Sequence, residues 1–398
     1  MKESALTKTS FAGLSATFVG NGIGRFAYIA LMPALISSGW FSKGEASYLG
    51  VATLVGYLLG APLANYLVRR FTTGQIMRSA MVMCSLSYLA CAFPDAPLLW
   101  FYFWRTLAGV GGAILMVMAA PAVLRYFSEG IRGRVSGVVF SGIGLGAMMS
   151  GTLIPLLILQ SVSAAWLGMG SICLLLTIIN WRTWDIPLPD QAVGAKTHED
   201  HQTKVSSAAV ALILSAYTLN AIGYLPHTLF WVDYIVRELH MSLWIGGLCW
   251  AVFGIGAALG PLFTGQMGDR FGFKQCLIAC FMLKAFGVVL PLLSNHLNGL
   301  LVSSFLVGAF TPGIVALVSA YTLECVGIHK HRRAWSIMTF SFAVSQAVVG
   351  YIMAYVVSDS ISYRPLFLVS SMALLISAIC ILFTRVKPVD TANVKIIN

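Results

Sequence analysis

The sequence predicts an all-α integral membrane fold, with twelve transmembrane helices arranged as two pseudo-symmetric six-helix bundles. Three observations carry that expectation. The 398 residues are 58% hydrophobic and only 10% charged, with a mean hydropathy of +0.83, so lipid is the solvent for which the chain is built. Apolar stretches of the ~20 residues needed to cross a hydrocarbon layer alternate with short polar breaks. The first part of the chain also returns about 200 residues later: Gly56, Gly60, Arg70 and Phe71 are echoed by Gly256, Gly260, Arg270 and Phe271. Asn21, Ile23 and Gly24 recur as Asn220, Ile222 and Gly223, Gly109 as Gly308, and Arg134 and Gly151 as Arg333 and Gly350. Two halves of like build imply two bundles that rock about a shared site.

In chain order the spans are Phe11 to Leu35, Ala46 to Val68, Ile76 to Phe93, Leu98 to Ala120, Val135 to Leu159 and Ala164 to Ile179 in the first half. Those of the second are Ala208 to Trp231, Leu243 to Gln266, Cys276 to Leu293, Gly299 to Leu323, Ser336 to Val357 and Leu366 to Phe383. No alternating polarity is present, and backbone in lipid must satisfy its own hydrogen bonds, so each span is read as a helix. The first exceeds a signal-peptide core and lacks a small-residue cleavage site after it, so it is expected to be retained. The polar interval from Asp185 to Ser206 reads as a cytoplasmic linker, dividing the chain into an N-terminal bundle (1–184) and a C-terminal bundle with a short tail (207–398).

A net charge of +11 suggests nucleic acid until the basic residues are placed. With the N-terminus inside, 19 of the 25 Lys and Arg fall on the inner side, and only Lys43, Arg237 and Arg364 fall outside. The charge therefore marks one face of a membrane, nucleic acid is excluded as a partner, and both termini are expected to be cytoplasmic. The eight Cys lie in or beside apolar spans without C-x-x-C spacing, so no metal, cofactor or disulfide framework is indicated. No Gly-rich phosphate loop and no nucleophile with a base at recognisable spacing is present, which disfavours both ATP-driven transport and enzymatic activity.

Between spans 8 and 9 the string Gly265-Gln-Met-Gly268-Asp269-Arg270-Phe-Gly272-Phe-Lys274 resembles the loop signature of the major facilitator superfamily (MFS). The resemblance implies a twelve-helix carrier in which these residues form a conformational latch; the equivalent first-half segment has Arg69 where the family's Asp stands. Arg105-Thr-Leu-Ala-Gly109-Val-Gly111 in span 4 is similar to an element of proton-coupled facilitators, with Ala108 in place of Gln. Gly142, Gly146 and Gly151 in span 5 resemble the antiporter glycine element, without its Pro. The first-span string from Gly20 to Tyr28, with Pro33, looks like the bacterial YbfB/YjiJ branch, which implies a multi-pass, monomeric protein of the plasma (inner) membrane.

Arg25 lies deep in span 1, where a guanidinium costs about 3 kcal/mol unless it meets water, a partner or a substrate. Asn21, Arg25 and Tyr28 share one helical face, and Asn220, Tyr224 and His227 repeat that spacing in span 7. Arg105 in span 4 is expected at a depth within roughly 5 Å of Arg25, so that both reach one ligand. With no Asp or Glu in the middle of any span, the expected substrate is a small organic anion held at these seven residues. A scaffold role against helix-end carbonyls competes for both arginines. His227 follows Pro226 at an expected helix break and, with Asp233, is a candidate for proton coupling. Lys284 in span 9 is read as structural. The rival functions are a proton-coupled exporter of hydrophobic compounds and a non-transporting sensor of the same fold.

Overall fold

The computed structural model describes residues 4–128, 131–185, 207–359 and 362–384, so nearly all of the linker and the tail expected from the sequence lie outside the described residues. Fourteen α-helices are described, with no strand among the described residues. They are α1 (Lys8–Thr17), α2 (Ala27–Ser37), α3 (Lys43–Leu67), α4 (Thr73–Ala90), α5 (Leu98–Leu124), α6 (Arg132–Ile158) and α7 (Val162–Ile179) in the first half. The second contains α8 (Ser207–Gly223), α9 (Leu225–Leu229), α10 (Trp231–Asp233), α11 (Leu243–Phe271), α12 (Phe273–Leu293), α13 (Leu297–Asp359) and α14 (Arg364–Leu382). Among the described residues, ten segments are long and apolar enough to cross a membrane. Two of the twelve expected spans are helical but fall outside those ten: α4, and the seventh, whose apolar helix stops at Gly223.

Helix ends follow local chemistry. Ser42 and Glu45 form a reciprocal capping box at the start of α3, with Ser42 N–H donating to Glu45 at 2.8 Å, and Thr72 with Gln75 does the same for α4. Gly272 ends α11 at φ 86°, in the left-handed region that glycine alone enters cheaply. Gly327, at φ 71°, kinks α13 between its limbs Leu297–Gly327 and Arg333–Asp359.

The sequence repeat becomes a repeat of helix contacts. A Cβ on Gly56 would fall on the Thr106 carbonyl and one on Gly109 on the Thr53 carbonyl, so α3 and α5 touch backbone to backbone. In the second half, Gly256 meets Phe305 and Gly308 meets Phe253, joining α11 to the first limb of α13 in the same way. Where apolar lipid supplies no hydrophobic drive between helices, such close approach is what packs them.

The halves meet along two seams. On one, α6 lies on α11 through Gly144 against Ala258 and Gly151 against Gly247, and Trp250 Nε1 donates to Ser150 Oγ at 3.2 Å. On the other, α3 lies on the second limb of α13, with the Tyr48 and Tyr351 rings 5.2 Å apart and Gly350 under Leu54. At the end away from the chain termini, Lys43 Nζ stands 4.4 Å over the Tyr363 ring. On the termini side of Arg25, no hydrogen bond, ion pair or ring contact joins the halves among the described residues.

Candidate functional site

The first span is not one continuous α-helix. Glycines 20, 22 and 24 weaken the helix, and residues Phe18–Ile23 widen into a π-helical turn, with Gly24 N–H bonding Val19 at 2.9 Å and Phe26 N–H bonding Asn21 at 3.1 Å. The turn presents carbonyls sideways. Tyr88 O–H donates to the Ile23 carbonyl at 2.6 Å and Arg105 Nη1 to that of Gly24 at 3.1 Å. Asn21 Nδ2 donates to the Gly112 carbonyl at 3.1 Å, and Tyr28 O–H to that of Ala46 at 2.7 Å.

Arg105 is 1% exposed, its guanidinium 4.7 Å from the Tyr28 ring centroid and 5.4 Å from that of Tyr88. These contacts all come from the first half. The helix break that Arg105 braces had no separate signal in the sequence beyond the glycines, which is why depth alone suggested a shared ligand. Asn21 and Tyr28 likewise bond the backbone of their own half.

Arg25 differs. It is half-buried, its guanidinium 5.6 Å from the Tyr57 ring centroid and 5.3 Å from that of Phe26, and it interacts with Tyr224 across the seam. Nε and Nη2 are buried without a hydrogen-bond partner, as they are in Arg105, but Arg105 holds the Gly24 carbonyl through Nη1, whereas among the described residues Arg25 has neither a carbonyl nor a carboxylate partner. Tyr224 is 3% exposed and accepts a hydrogen bond from Gln346 Nε2, while Phe342 stacks on it at 6.1 Å. Arg25 and Tyr224 are thus the predicted residues that come together from opposite halves. Tyr57 and Gln346 escaped the sequence reading; the polar amide of Gln346 in the midst of an apolar span was the available signal.

Span 7 mirrors the break. α8 ends at Gly223, Tyr224 leaves helical geometry at φ −117° and ψ 1°, and α9 restarts with Pro226 in its first turn. A second interruption at Phe230 precedes α10 and a π-helical turn, Tyr234–Glu238. The helix break expected at Pro226 is present, and helical turns continue beyond it to Glu238. Within it, Lys284 Nζ donates to Asn220 Oδ1 at 3.0 Å and stands 4.5 Å over the Tyr224 ring. His227 Nε2 lies 2.9 Å from Ser303 Oγ, its ring stacked 4.2 Å from that of Trp231.

Asp233 is fully buried at the closed end, accepting from Tyr363 O–H, with Arg237 Nη1 at 3.7 Å. Glu238 accepts the Tyr363 N–H at 2.6 Å, tying the same cluster to the start of α14. The latch motif lies at the opposite end. Asp269 is exposed, Arg270 stands 5.3 Å over its neighbour Phe271, and Lys274 Nζ donates to the Thr384 carbonyl at 2.6 Å. Gly268 packs beneath Leu317 and Phe273, whereas a Cβ on Gly265 would meet open space. A surface hollow of about 660 Å³ lined by Pro33, Trp40, Val162 and Leu243 contains none of these residues.

A duplicated helical bundle whose halves meet at glycine seams, each beginning in a broken polar helix, is the architecture of a membrane carrier of the major facilitator class. The chain belongs to the family described as "Uncharacterised MFS-type transporter YbfB", matched over residues 17–382. The class C tetracycline resistance protein of Escherichia coli is 27% identical over 283 residues, 68% of this chain and 70% of that protein. A probable 4-methylmuconolactone transporter of Cupriavidus pinatubonensis is 24% identical over 310 residues, 74% of this chain and 71% of that protein. The niacin transporter NiaP of Acinetobacter baylyi is 29% identical over 148 residues, which span 36% of this chain and 33% of its own.

Proposed function

We propose that this protein is a secondary transporter of a small organic anion, working by alternating access in a bacterial inner membrane with both termini cytoplasmic, and coupled to the proton gradient. The observation that carries the anion is Arg25: a deep guanidinium with buried, unpartnered N–H groups at the junction of the halves. A fixed cation in that setting calls for a carboxylate or phosphate, which its donor fork meets in bidentate fashion. Tyr57, Tyr224 and Gln346 complete a polar wall around it. The joined end away from the termini and the unjoined latch at Asp269 support a state with access from the termini side. Asn21, Tyr28, Arg105 and Asn220 serve the site by fixing the two helix breaks, and His227 and Asp233 are the proton-coupling candidates that the sequence supplies.

The test is a thermal-stabilisation screen of the purified full-length protein against organic anions, cations and neutral solutes, repeated with Arg25→Gln. Anions raise the melting temperature of the wild type alone, while the ligand-free melts of both proteins agree. Stabilisation by cations or neutral compounds that survives Arg25→Gln contradicts the proposal. It would instead support export of hydrophobic compounds, a second reading favoured by the rings of Phe26, Trp250 and Phe253 at the seam and by the likeness to the tetracycline resistance protein.

A further inference from the structure

Lys284 is 0% exposed in the interior of α12. An ammonium so placed carries a desolvation cost that only a counter-charge or a full set of acceptors offsets. Lys284 has one acceptor, Asn220 Oδ1, and the face of the Tyr224 ring. The titratable groups that face it are Tyr224 and His227 from the span-7 break and Cys280 from its own helix; among the described residues α8, α11, α13 and α14 bring no carboxylate to it. The bond to Asn220 serves both protonation states, because an amine and an ammonium alike donate. The surroundings are therefore built to hold the side chain whether or not it is charged.

The neighbouring imidazole is fixed differently. Ser303 gives its hydroxyl proton to the Gly287 carbonyl at 2.6 Å, so His227 Nε2 is the donor in its contact with Ser303. In the neutral ring Nδ1 is then a bare acceptor, and it is buried without a partner. Among the described residues no carboxylate stands beside either group to balance a positive charge there.

We propose that Lys284 is the proton-binding group of this carrier, an amine in the role that a mid-membrane carboxylate plays in other carriers. Protonation converts the amine to the ammonium, and release returns that same proton to water; one proton on Lys284 and one monovalent anion on Arg25 together leave the carrier's charge equal to that of its empty form. Tyr224 is the physical link, because Lys284 lies over its ring and Arg25 interacts with its side chain. The assignment rests on the reading of the chain as a coupled carrier.

The experiment uses full-length protein in liposomes adsorbed to a solid-supported membrane. A substrate-free jump from mildly alkaline to mildly acidic buffer is applied, and the transient charge displacement is recorded. Because no anion is present, the result is independent of whether Arg25 binds one. Wild type is expected to give a transient that disappears in both Lys284→Met and Lys284→Arg. The arginine variant keeps charge and donors without titrating, so it separates lost proton binding from lost folding, and an unchanged detergent melt certifies it. A transient that persists in Lys284→Arg, one lost in His227→Gln but kept in Lys284→Arg, or none in wild type overturns the assignment.

Discussion

The first span of each half breaks at the same place in the repeat, yet the two breaks are used differently. In span 1 the π-helical turn is sealed by its own half: Tyr88 and Arg105 take the loose carbonyls, and Asn21 reaches Gly112. Arg105 and Arg25 both keep Nε and Nη2 unpartnered, but only Arg25 interacts with the other half, at Tyr224. In span 7 the break is filled by side chains whose hydrogen bonding is incomplete, with Asn220 Nδ2, His227 Nδ1 and Asp233 Oδ1 all buried and unpartnered. The first break displays a guanidinium at the seam, and the second surrounds the Lys284 side chain.

The widest gap between the two arginines should appear in stability. Arg105→Met leaves the Gly24 carbonyl and two tyrosine faces without their cation and is expected to cost about 3 kcal/mol, seen as a much lower melting temperature in detergent. An unchanged melt would break the comparison by removing the brace from span 1. Arg25→Gln is expected to leave the melt alone while weakening anion binding by about 2 kcal/mol, roughly thirtyfold, as read by ligand-induced melting shifts.

Smaller effects sharpen the contrast. Tyr224→Phe removes the hydroxyl that Gln346 donates to and faces Arg25, and about 1 kcal/mol of anion stabilisation should go with it, whereas Tyr28→Phe should alter stability only. Lys43→Met deletes the cation over Tyr363 at the joined end, worth about 0.5–1 kcal/mol. The expected outcome is faster thiol labelling of a Ser358→Cys reporter beside Gly44. Asp269→Asn, at an exposed and unpaired position, should leave melting within about 0.5 kcal/mol of wild type; a large drop would show that the latch is engaged.

The fold was largely legible because its signals are additive along the chain. Apolar length marks helices, and glycines at matched offsets mark the repeat, which the structure turns into equivalent contacts of Gly56 and Gly109 with α5 and α3, and of Gly256 and Gly308 within the second half. The sequence pointed to Arg25 through its burial cost alone, and the structure sets it beside Tyr224 of the other half. The site was not legible where rotation about a helix axis decides the partner. Arg105 and Arg25 turn to different neighbours, and the structural reading of Lys284 did not say that its partners are Asn220 and the Tyr224 ring. The extent of the span-7 break was not legible either, since Pro226 shows that a helix yields without showing that Tyr224 and Phe230 both leave helical geometry.

A structure of the carrier in lipid with its most strongly stabilising anion would test the central claim most directly. The account predicts density for that anion bounded by the Arg25 guanidinium and Tyr224, with Arg105 still on the Gly24 carbonyl. An anion seated elsewhere, with Arg25 turned to lipid or closed onto peptide oxygens, would contradict it.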